Sequence, residues 1–279
     1  MAKKKYFQDH GDHIQTVMTT DEFMMDVLPT IGDWIPVASG KNPIPAKPKT
    51  DMIALQKGEA DVAFLGLIAV TPKRNMFMSA YPVAKGNIVD ITIYDIYEWK
   101  EPYEAYIWAT IGEDLEVCFF ATDYFCNKDK YVKGATLQVE MAAMGVEIQP
   151  GHEDITLDPE EAMKFYEHME GGAEKDEKGD VMPLVLSCAE LVGLLPASDE
   201  CPDLQEFHSP IRSFEKITIE GKEFAKVGIV ISHDPDDIEI PLYFNLSLCN
   251  EIEERGNVMG VLWLQAHLPN AFVPYKVSD

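Results

Sequence analysis

Tyr103-Glu104-Ala105-Tyr106-Ile107-Trp108-Ala109-Thr110-Ile111, the turn Gly112-Glu113-Asp114, and Leu115-Glu116-Val117-Cys118-Phe119-Phe120-Ala121 decide the fold reading. In the first run Tyr103, Ala105, Ile107, Ala109 and Ile111 alternate with Glu104, Tyr106, Trp108 and Thr110. A period of two sends the two sets to opposite faces of a strand. The tight turn makes the second run its neighbour. Working outward, Ile91-Thr92-Ile93 opens a strand upstream, and Thr136 to Gly145 supplies a fourth downstream. Between the third and fourth, the short polar stretch from Phe125 to Val132 suits one or two helical turns.

The same order returns between Pro210 and Leu268. Ile217-Thr218-Ile219, Ala225 to Ile231, Ile238 to Phe244 and Val258 to Leu268 take the four strand roles. Asp114, Glu116, Phe120 and the pair Cys126-Asn127 meet Asp237, Glu239, Tyr243 and the pair Cys249-Asn250, while Gly134 meets Gly256 one residue out of step. One β-rich unit used twice is the expectation. Three strands, a short helix and a further strand resembles the OB-fold barrel, over about 60 residues each time. The predicted class is α+β, mainly β. Residues 1–150 carry an amino-terminal segment, packed on the first OB-like unit, and that unit itself. Residues 151–206 form an acidic helical insert, and residues 207–279 the second OB-like unit.

The flanks carry their own signals. Thr19 and Glu22 have capping-box spacing, ahead of a helix with Phe23, Met24, Val27 and Leu28 on one face. Residues 38–50 hold three prolines and read as an extended surface loop. Ala60 to Val70 reads as a buried strand, with Met76 to Val83 as its hairpin partner. Asp158-Pro159-Glu160-Glu161 is a helix start, with cap, proline at the first position and capping box together. Leu184 to Leu195 fits helix or strand. In the last strand Gly260, Leu262, Leu264, Ala266 and Leu268 alternate with Met259, Val261, Trp263, Gln265 and His267.

Charge narrows the function. The chain has 23 basic and 48 acidic residues, a net charge of -25. Such a field repels nucleic-acid phosphates and anionic membrane surfaces and favours basic partners. It is unevenly spread: residues 1–80 are neutral, whereas residues 151–206 carry 16 acids against 3 bases. Cys118, Cys126, Cys188, Cys201 and Cys249 form no C-x-x-C pair and are odd in number, which suits buried thiols in a reducing compartment better than a disulfide framework. With no apolar signal region and no membrane-length run, a cytoplasmic location is predicted.

Candidate sites are few. Asp9-His10-Gly11-Asp12-His13 has metal-ligand residue types, but no further cysteine or histidine at ligand spacing completes a set, and a polar terminus is preferred. Asp234-Pro235-Asp236-Asp237 with Glu239 lacks the calcium-loop pattern and reads as a turn. His208 and His267 read as structural histidines. No metal and no cofactor is predicted. A possible ligand face combines Glu104 and Asp123 with Tyr106, Trp108 and Tyr124, because carboxylates beside aromatics act on sugars or bind cations. The leading functional expectation is a non-enzymatic, inhibitor-type (immunity or anti-defence-like) protein holding a basic partner through Glu153, Glu160, Glu167 and Glu170. The alternatives are a small-molecule or carbohydrate binder or hydrolase using the aromatic face, and a protein for single-stranded nucleic acid, which needs a basic groove.

Overall fold

The computed structural model describes residues 6–41, 51–58, 61–166, 175–234, 236–252 and 256–274, and it is mainly β. β5 (Asn87–Glu98), β6 (Ala105–Ile111) and β7 (Leu115–Ala121) form an antiparallel meander. The alternation holds within β6, where Ala105, Ile107, Ala109 and Ile111 are buried in one apolar cluster with Val117 and Phe119, while Tyr103, ahead of the strand, joins the other cluster with Tyr106. The short helix α3 (Tyr124–Asn127) follows. β8 (Thr136–Pro150) then pairs antiparallel with β5 over Asn87–Thr92. The last long strand, β15 (Asn257–His267), lies between β8 and β7, antiparallel to the first and parallel to the second. The order β5-β6-β7-β15-β8 therefore closes back on β5.

A second circuit shares two of those strands. β12 (Leu204–Ile219), β13 (Lys222–Ser232) and β14 (Ile238–Asn245) form another meander. β14 runs parallel to β8 and β12 antiparallel to β15, so β12-β13-β14-β8-β15 closes as well. The β8–β15 pair belongs to both circuits. Each parallel contact spans only two residue pairs, Phe120 and Ala121 with Gln265 and Ala266, and Leu242 and Tyr243 with Ala143 and Met144. Gly260, at φ +143°, sits where β15 comes against β8, and an added Cβ there would collide with the Glu147 carbonyl oxygen. Only glycine accepts that approach.

A separate antiparallel sheet consists of β1 (Ile35–Lys41), β2 (Asp51–Lys57), β3 (Val62–Val70) and β4 (Asn75–Ala84), in that order. Met52, Phe64, Leu67 and Tyr81 cluster with Phe120 of β7, Met144 of β8, Trp263 of β15 and Tyr243 of β14. The amino-terminal segment thus covers both circuits over the shared seam, where packing on the first was expected. This is why both alternating sets of β15 are apolar or buried.

Other expectations need correcting. Thr19 caps as predicted, with both halves of the capping box, but the helical run passes from α2 (Thr20–Glu22) through a π turn at Phe23–Val27 into a 3₁₀ turn at Leu28–Asp33. That change of pitch leaves Met24 exposed. Residues 38–41 of the expected loop belong to edge strand β1, and 42–50 lie outside the described residues. Ile217–Ile219 is the far end of β12, which begins at Leu204, six residues before the second copy was expected to start. The insert holds one described helix, α4 (Pro159–Tyr166), between β9 (Asp154–Leu157) and β10 (Leu184–Ser187), which pair with each other. Its cap is as read: Asp158 Oδ1 accepts from the N–H groups of Glu160 and Glu161, and Glu161 Oε2 accepts from that of Asp158. β11 (Gly193–Pro196) joins the edge of β12, so 184–195 is two short strands. The five cysteines are free thiols, but only Cys118 and Cys188 are buried, while Cys126, Cys201 and Cys249 are half-buried. No described helix is long and apolar enough to cross a membrane.

Candidate functional site

The expected ligand face comes apart into three environments. Glu104 lies one residue before β6 and is buried, its Oε1 2.9 Å from His10 Nε2. Tyr106, two residues on, donates its hydroxyl to the Phe7 carbonyl at 2.8 Å. Both are covered by the amino-terminal segment. Asp123, at the start of α3, is fully buried and accepts from Tyr131 Oη at 2.6 Å, Asn127 Nδ2 at 2.7 Å and the Leu268 N–H at 3.1 Å. Burial pushes its carboxyl upward, and the Tyr131 hydrogen bond offsets part of that. A carboxylate with three donors is an internal anchor joining α3 to the end of β15. Glu104 and Asp123 share no hydrogen-bond partner among the described residues.

Glu104 begins a buried polar network that the sequence concealed. α1 (Gly11–Gln15) starts just after His10, and its pitch brings His10 and His13 to one face, Nδ1 to Nδ1 at 3.0 Å. His13 Nε2 lies 3.1 Å from Asp203 Oδ2, which also accepts from Trp263 Nε1 at 2.9 Å. His10 stacks on Trp99 with ring centres 4.8 Å apart, and His13 on Trp263 at 4.0 Å and 9°. The polar terminus is therefore wedged between the Trp99–Glu104 turn and the entry to β12. Spacing of i and i+3 was the signal for the pair; its carboxylates lie 94 and 190 residues away.

Burial pushes the His13 pKa down, opposed by its bond to Asp203. A proton on both Nδ1 atoms would set two N–H groups against each other at the central contact.

Trp108 and Tyr124 do come together, around a cavity of about 820 Å³ beside the free edge of β5. Tyr124 donates to Glu98 Oε1 at 2.8 Å. Glu98 also pairs with Lys128, and Asp95 with Lys133 at 2.5 Å. The Lys133 hydrogen bond holds the Asp95 carboxyl below its ordinary range.

Of the expected partner-binding residues, Glu153 and Glu160 are exposed, and Glu160 pairs with Lys164 one turn on at 3.0 Å. Glu167 and Glu170 lie outside the described residues. His208 meets the Leu191 carbonyl at 2.9 Å, and His267 lies 3.4 Å from Glu140, whose carboxyl it holds low. The acidic loop after β13 is tied by Arg212, which binds Asp237 at 2.8 Å and Glu190 at 2.6 Å, and by His233, 2.6 Å from Asp237. No group of three or more metal-ligating side chains is assembled among the described residues. Comparison with family models, curated proteins and solved structures finds no match to this chain.

Proposed function

We propose that the protein acts by binding a basic protein through residues 151–206, as an inhibitor-type interaction protein and not as a hydrolase. One observation carries this reading. The segment that holds over half the net charge also exposes Ile155, Met163, Met182, Val185, Leu191 and Leu195, the last at 66%. Exposed apolar side chains in a segment of strong net negative charge are what a steered interface needs: the field speeds encounter, and the apolar contacts hold. Met163 on α4 and the strand residues Ile155, Val185 and Leu195 supply the anchors. The hydrolase alternative is weakened because Glu104 and Asp123 are spent on internal bonds. Nucleic acid remains disfavoured by the sign of the field.

The reading extends to the fold: the circuits are one OB-like unit duplicated, with residues 1–150 and 207–279 holding the copies and 151–206 the spacer. Its support is that both consist of a three-strand meander closed by the same two shared strands, five in all. Phe120 and Tyr243, matched as landmarks, each sit at the parallel contact of their own circuit. Only the first has a helix before its fourth strand among the described residues.

The test is a titration against the basic protein captured from the native host, at low and high salt. The comparison is a variant with Glu153, Glu160, Glu167 and Glu170 changed to Gln, and a second with Val185→Ser and Leu195→Ser. Binding should weaken with salt, since screening sets in over about 8 Å at physiological ionic strength. Both variants should lose affinity. Salt-insensitive binding that survives both sets of changes rules the reading out.

A further inference from the structure

We propose that the cavity at the free edge of β5 is a binding site for a neutral saccharide. The geometry begins with a bulge. The register of β5 against β6 shifts between Ile93 and Asp95, and pairing with β8 stops at Thr92. From Tyr94 onward β5 has a strand partner on one side only among the described residues. Bulges re-aim side chains, and here the strand leaves β8 and opens a cleft toward α3. Half-buried Tyr6, Tyr97 and Trp108 line one part of it. Tyr6 and Tyr97 meet edge to face at 4.7 Å, which holds both rings in place.

The polar groups are arranged as pairs. Lys128 with Glu98 and Lys133 with Asp95 join the segment after β7 to β5, and the Tyr124 hydroxyl fixes Glu98 from behind. Their charges cancel, in a molecule whose net charge is -25. A charged ligand gains nothing from a balanced site, and an anion is repelled by the surrounding field. An adjacent carboxylate and ammonium instead offer an acceptor and a donor side by side, the complement of a hydroxyl that donates and accepts at once. A pyranose presents such hydroxyls around its edge and C–H groups on its faces. Its faces suit half-exposed aromatic rings, and a concave site with few, well-held polar groups suits its size. This site is independent of the protein-binding segment and stands or falls separately.

Trp108 makes the test specific. Of the four tryptophans, Trp34, Trp99 and Trp263 are buried, and only Trp108 borders the cavity. The full chain, labelled with ¹⁵N, is titrated with maltotriose, cellotriose, chitotriose and, separately, adenosine, each up to about 10 mM, a range that covers weak small-ligand sites. The indole N–H signal of Trp108 should move with at least one trisaccharide while the other three stay put. W108A should weaken that binding about tenfold or more. Should W108A unfold, K133A, an exposed change, should weaken it in the same direction. No movement with any trisaccharide overturns the proposal. Movement with adenosine alone overturns it too, because the site would then read planar aromatics.

Discussion

Two polar networks fasten peripheral segments to the closed circuits, and they are built from nearly the same parts. Inside, Glu104, His10, His13 and Asp203 hold the amino-terminal segment. Outside, Glu190, Arg212, Asp237 and His233 hold the end of the insert. The difference is water. Asp203 is fully buried, whereas Glu190 and Asp237 are open to solvent. In the interior each lost partner strands a desolvated polar group, and salt does little. At the surface solvent replaces a lost partner at small cost, and ions screen what remains. The networks resemble each other on paper, and they should behave oppositely.

The sharpest way to break that comparison is Asp203→Ala. It leaves His13 Nε2 and the Trp263 indole N–H buried beside a cavity, both without the acceptor they now have. A buried donor left without its acceptor costs about 1–3 kcal/mol. Urea unfolding should show that loss, with Asp203→Asn intermediate because it keeps an acceptor but not the charge. A loss below about 1 kcal/mol would rank the inner network with exposed ones.

The sequence showed the inner network only in part, and the reason is distance along the chain. Local period exposed β6 and β7 almost to the residue, because alternation needs no knowledge of partners. It also put Glu104, Tyr106 and Trp108 on one face. What covers that face is decided elsewhere: His10 and Tyr6 lie over Glu104 and Tyr106, and Trp108 borders a cavity. The start of β12 was missed because landmarks were matched at constant offset, while β12 extends back to Leu204 to pair with Trp263. The Tyr94 bulge and the shared β8–β15 seam likewise leave no local mark. Pairings across more than about 100 residues are tertiary facts that period and propensity do not encode.

A second test sharpens the comparison through pH. The folded pKa of His13 lies below its unfolded value of 6.5, because burial disfavours the charged ring. Its contribution to stability is therefore complete above about pH 6.5 and drains as pH falls through that value toward the folded one. Stability of the wild type, followed by urea midpoints from pH 8 to 5, should decline on the acid side more steeply than that of His13→Asn. Parallel curves would mean that the ring accepts its second proton without breaking the central contact with His10.

The smallest effect is expected outside, and its sign is reversed. His233 has its folded pKa raised, first by the hydrogen bond to Asp237 and then by the Glu190 carbonyl. Its contribution is fully present below the unfolded value near 6.5 and is lost as pH rises through the folded one. Arg212→Ala removes the charge that gathers Glu190 and Asp237, whose carboxyls it and His233 hold low. All these groups lie at the surface, so the global urea midpoint should barely move. The change belongs in local motion: amide exchange of Gly193, Leu194 and Leu195 in β11 and of the turn at Glu190 should quicken, because the ion pairs fasten that end of the insert to β12. At 1 M salt, where screening reaches about 3 Å, wild type and variant should exchange alike. A variant that unfolds as readily as Asp203→Ala, or a difference that high salt leaves intact, would show that the outer network is shielded from water as the inner one is.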